Sequence, residues 1–124
     1  MRYLFLLAFL VCAALHAAQE EVIPDENATR KKIDTLIKDC KDSKRKATLG
    51  LIQQTLGLSI SYGAPTWNQG DHESCLRFYA KTAQSLCNAF GDAASTTDAA
   101  HESIVELKAT LERAGKTADI DRNA

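Results

Sequence analysis

The side chains able to do chemistry are few and concentrated. Downstream of residue 18 there are three cysteines (Cys40, Cys75 and Cys87), two histidines (His72 and His101) and one tryptophan, Trp67. Cys75 follows His72 by three residues, one turn along a helix. A thiol near a helix N-terminus with an imidazole beside it is set up for nucleophilic attack. Cys75 with His72 is therefore the candidate for a thiol-dependent activity. The competing reading is a small buried apolar residue. Tyr62, Trp67, Asn68, His72 and Glu73 form a second candidate. Aromatic rings mixed with amide and ionisable groups at one concave end suit contact with a ligand or partner. No Ser-His-Asp order, glycine-rich phosphate loop or paired-carboxylate site is present, so no catalytic residue is assigned. Cys-x-x-Cys and His-Glu-x-x-His spacings are also missing, and no metal or cofactor is expected. Asp119–Asn123, "DIDRN", starts like a calcium loop but lacks its glycine and distal glutamate.

The compartment is read from the N-terminus. Arg2 precedes an unbroken apolar run, Leu4–Leu15, and small residues follow at Ala17 and Ala18. This is the pattern of a secretory signal peptide spanning residues 1–18, cut after Ala17 or Ala18. The run is short of the roughly 20 apolar residues a membrane span needs, so no transmembrane segment is expected after cleavage. The product is an exported chain of about 106 residues, periplasmic or secreted, enough for one small domain. Its 14 basic and 16 acidic residues give no bulk attraction to nucleic acid. Residues 30–46 are locally basic, with eight cations against three acids. Either this is a solvated helix face or it holds the protein to an anionic envelope surface.

The elements that must position these residues are helical. Residues 19–28 form a flexible acidic leader containing Pro24, and Asn27 or Thr29 is expected to cap the first helix. Ile33, Leu36, Ile37 and Cys40 stripe that helix. Asp42 or Ser43 starts a second, striped by Leu49, Ile52, Leu56 and Ile60, ending near Tyr62 with Gly63 as its cap and Pro65 as its breaker. A single rod from Arg30 to Tyr62 is the alternative. Gly50 and Gly57 share a face, for close helix approach or as tolerated exposed positions. Gly70 reverses the chain. Asp71 caps a third helix striped by Cys75, Tyr79, Ala83, Leu86 and Phe90 and stopped by Gly91. Thr97 or Asp98 caps a fourth, with Ile104, Leu107, Leu111 and Ala114, closed by Gly115. Residues 116–124 are expected to be a disordered tail. No segment alternates like a strand. The expected fold is all-α, a small antiparallel bundle of three to four helices within residues 29–115.

In such a bundle Cys75 and Cys87 lie about 18 Å apart on one helix, too far to pair. Up-down topology brings Cys40 and Cys87 to the same end. That favours a Cys40–Cys87 disulfide, with about 4 kcal/mol of loop-entropy stabilisation.

The segment Asn68 to Leu86 resembles the inter-helix turn and second helix of a tetratricopeptide-type helical hairpin. Gly63 falls at that family's packing glycine, Gly70-Asp71 at its turn, and Cys75 and Tyr79 at its small-then-aromatic pair, whereas Pro65 and Thr82 depart from the pattern. Gly63, Ala64, Pro65, Trp67, Asn68, Gly70, Asp71, Cys75 and Tyr79 also resemble a segment of small exported bacterial proteins of no assigned function. The resemblance implies export and a helical hairpin, and no reaction. The function expected is non-enzymatic binding of a small ligand or of another exported or envelope protein through the 62–79 hairpin.

Overall fold

The computed structural model describes residues 22–123, with side chains described as far as residue 115. The expected signal peptide, residues 1–18, lies outside the described residues. Four helices follow in order: α1 (Glu26–Asp42), α2 (Leu49–Asn68), α3 (His72–Phe90) and α4 (Asp98–Asn123). They pack into a small all-helical bundle.

Helix α1 begins at Glu26, inside the expected leader, because Asp25 is its cap. The Asp25 carboxylate accepts from the Ala28 N–H at 2.9 Å, and Glu26 lies in the dipole-favoured first turn. Pro24 stays outside the helix, where its missing N–H is harmless. Ser43 ends α1, its hydroxyl donating to the Cys40 carbonyl at 2.8 Å. With Ser43 engaged in that way, α2 starts at Thr48 instead, whose hydroxyl accepts from the Leu51 N–H at 3.2 Å. The break also removes the single-rod alternative.

Helix α2 does not end at Tyr62. It runs through Gly63 and Pro65 to Asn68. The bond that Pro65 cannot make is the one to the Ser61 carbonyl, and Ser61 is exposed to water. Gly63 is helical and serves packing, since the Tyr79 ring occupies the space of its absent side chain. The stop comes at Gly70, with φ +94°. Its N–H reaches the Trp67 carbonyl at 2.9 Å and the Asp71 N–H reaches Thr66 at 3.2 Å, the paired bonds of a glycine-terminated helix. Asp71 then caps α3 as expected, accepting from the Ser74 N–H at 3.1 Å. Gly91 ends α3, a short turn (Ala93–Ser95) follows, and α4 passes Gly115 and continues to Asn123.

Each helix packs on the next, α1 also reaches α3, and α2 also reaches α4. The α2–α3 hairpin is thus the centre, flanked by α1 and α4. At one end the two outer loops are clipped together: the Ala47 N–H donates to the Ser95 carbonyl (2.8 Å) and the Thr97 N–H to the Ala47 carbonyl (3.0 Å). Ile33, Ile52, Phe78, Leu86, Phe90 and Ile104 fill the core. Gly50 and Gly57 are the tolerated exposed kind, with nothing within 4 Å of a β-carbon at Gly57.

Phe78 and Thr82 are buried although the expected stripe omits them. They face α1, which covers α3 on a second side. The Arg30 guanidinium lies 3.9 Å over the Phe78 ring and donates to the Phe78 carbonyl and the Thr82 hydroxyl, both at 3.3 Å. Arg30 is therefore withdrawn from the basic surface run. Thr82 donates to Phe78 O (3.0 Å) and accepts from Ser59 (3.1 Å) and Arg30, which uses its full hydroxyl capacity.

Candidate functional site

The hairpin tip presents part of the expected surface. Trp67 and His72 bracket the turn and stack, with ring centroids 3.8 Å apart and planes at 22°. Asn68 and Glu73 are exposed beside them, and Glu73 pairs with Arg77 at 3.8 Å in water, where such a pair contributes little. Tyr62 does not join this group. Because α2 stays helical, Tyr62 continues the buried line of Ile52, Thr55, Ser59 and Thr66, and its ring packs on Phe78 at 4.4 Å. Burial, with the Glu26 carboxylate nearby, raises its phenol pKa, and the Thr66 hydrogen bond opposes that rise.

The Ser74 side-chain and backbone hydrogen bonds hold the Asp71 carboxyl below its ordinary range. A depressed folded-state pKa adds stability above the unfolded value, and that stability is lost as pH falls through the folded one. We expect an extra loss of thermal stability below about pH 4, absent in Asp71→Asn, which keeps the cap without the charge. Melting both proteins between about pH 5 and pH 2 checks this, and parallel profiles would contradict it.

The cysteines are apart and unbridged. Cys40 points to the α1–α2 loop, where its sulfur meets the Arg45 carbonyl at 3.6 Å. Cys87 faces α4 and the Ile104 carbonyl at 3.9 Å, and burial raises its thiol pKa. The Cys40–Cys87 disulfide is therefore not formed. The two helices do share an end, as the topology argument required, but the two sulfurs face different helix seams. Cys75 is only 2% exposed and lies against the Tyr79 hydroxyl, whose pKa is raised by burial and then by that thiol. No hydrogen bond joins Cys75 to His72, whose ring is stacked on Trp67.

A groove between α2, α3 and α4 is the feature the sequence reading missed. It encloses about 480 Å³, within the range of ligand sites, and Leu56, Ile60, Leu76, Tyr79, Leu107 and Leu111 dominate its lining. The single stripe expected on α2 is really two faces. Ile52 lies in the core, whereas Leu49, Ile60 and Trp67 are exposed on a second face and Leu56 is partly buried there. On α3, Leu76 is 57% exposed; further along, Cys87 meets α4. The legible signal was charge: α2 carries no charged residue in 20 positions, unusual for a helix with an exposed side.

The groove is also poor in free hydrogen-bond donors. Of its three hydroxyls, Ser59 donates to Thr82 and Thr110 to the Glu106 carbonyl at 2.9 Å, and the third, on Tyr79, lies beside the Cys75 thiol. Among the described residues no helix is long and apolar enough to cross a membrane.

Fold and site together define a small all-helical protein with an open, uncharged apolar groove beside its central hairpin. The chain matches no protein-family model, no curated protein and no solved structure.

Proposed function

We propose that this is an exported, non-enzymatic binding protein that takes a hydrocarbon chain, such as the acyl tail of a lipid, into the α2–α3–α4 groove. The signal-like Leu4–Leu15 run supports export. The observation that carries the binding role is the groove lining, which has no charge and only three hydroxyls, two of them already donating within the protein. Such a surface rewards removal of apolar area from water and offers a polar group nothing. The Trp67–His72 tip, with Asn68 and Glu73, stands ready as a second contact for an exported or envelope partner.

Titration with the fluorescent fatty acid cis-parinaric acid tests this. Wild-type protein should bind saturably. Leu76→Asp should bind about ten- to a hundredfold more weakly, the equivalent of losing about 1.5–3 kcal/mol of leucine burial. Leu76 is more than half exposed, so the fold should survive, as circular dichroism would show. Trp67→Ala should bind like the wild type. Loss of binding in Trp67→Ala with retention in Leu76→Asp would move the site to the hairpin tip.

A further inference from the structure

The loop end of the bundle carries a second, independent feature. Lys41, Lys44, Arg45 and Lys46 surround a pocket of about 220 Å³ whose opposite wall includes Phe90 and Ser95. Among the described residues none of these four cations has an ion-pair partner. Asp92 caps the Ala93–Ser95 turn through the Ala94 N–H, and no acid lines this pocket, although Lys41 also borders the α1–α3 groove with Asp34 and Asp42, and Arg45 and Lys46 border a further groove with Asp39. The walls are held before any ligand arrives, because the Ala47 bridge to Ser95 and Thr97 locks the two loops together.

Lys44 adds a backbone argument. It has φ +57°, the one non-glycine residue in the left-handed region among those described, at the position where α1 terminates. Glycine takes that conformation without steric cost, and this chain uses glycine, Gly70, at the corresponding end of α2. At the end of α1 it keeps a strained lysine instead, and that lysine faces the pocket.

We infer that this pocket is a binding site for a phosphate-type oxyanion, with Lys44 retained there at the expense of stability. A compact group carrying two or more negative charges matches a pocket bordered by four cations and no acid, and Arg45 supplies the planar fork that pairs with such oxygens. The group can come from a soluble phosphate compound or from an anionic lipid headgroup.

The two sources are separated by two probes, both used at about 0.01 M salt, where screening extends to about 30 Å. One is inorganic pyrophosphate in a calorimetric titration. The other is cosedimentation with phosphatidylglycerol–phosphatidylcholine vesicles. The purified chain should respond in at least one arm. A calorimetric response assigns a soluble phosphate, and a vesicle response alone assigns a headgroup. In the responding arm Lys44→Gly should bind at least about fivefold more weakly while melting at a higher temperature. The control Lys31→Gln/Lys32→Gln, on the exposed face of α1, should bind within about twofold of wild type. Silence in both arms overturns the assignment. So does a Lys44→Gly protein that binds as well as wild type, or an equal loss in the control.

Discussion

Phe78→Ala should be the most damaging single substitution in the core, lowering stability by about 3–5 kcal/mol. In a domain of this size that is a fall in Tm on the order of 20 °C and a large part of the total stability. The ring is 1% exposed, packs on Tyr62 and lies under the Arg30 guanidinium, so one truncation opens a cavity where α1, α2 and α3 meet. A cycle with Arg30→Met should reveal a coupling of about 0.5–1 kcal/mol between ring and cation. Urea unfolding of the four proteins measures both quantities. A loss below about 1 kcal/mol for Phe78→Ala would mean that α1 does not pack as described.

The same substitution at two glycines of α2 should have opposite signs. Gly57→Ala adds a methyl group into open space and should gain about 0.5–1 kcal/mol from helix propensity. At Gly63 the new β-carbon overlaps the Tyr79 ring and falls 2.6 Å from its hydroxyl oxygen. There the overpacking cost of about 1–3 kcal/mol exceeds the propensity gain. Tyr79 also lines the groove, so a displaced ring should obstruct it and weaken parinaric acid binding together with stability. Adding Tyr79→Leu to Gly63→Ala should restore much of the stability. Comparable stabilisation by both alanines would contradict the close approach of α2 and α3.

The helices were legible because their caps and stripes are local. Asp71, Gly70 and Gly91 act where turn chemistry places them. Pro65 misled because a proline in the last turn of a helix forfeits one hydrogen bond at an exposed carbonyl, which tertiary packing of Tyr62 and Gly63 against α3 can outweigh. Tyr62 was misplaced for the same reason, since its direction depends on whether the helix continues. Phe78 and Thr82 escaped notice because a one-sided stripe cannot show that α3 is covered from two sides. The basic run was visible as composition. Its division between Arg30, which enters the core, and the Lys41–Lys46 cluster depends on contacts some 50 residues apart. The groove was hidden most completely, since apolar positions 52 and 60 look equivalent until the packing of α4 leaves one bare.

The central claim is that the groove, and not the hairpin tip, takes the hydrocarbon chain. Methyl-resolved NMR during titration with a short-chain acyl detergent below its micelle concentration tests it most directly. The predicted result is saturable shifts at Ile60, Leu76, Leu107 and Leu111, with the Trp67 indole unmoved. Shifts confined to Trp67 and His72, or no saturable shift at any groove methyl, would contradict it.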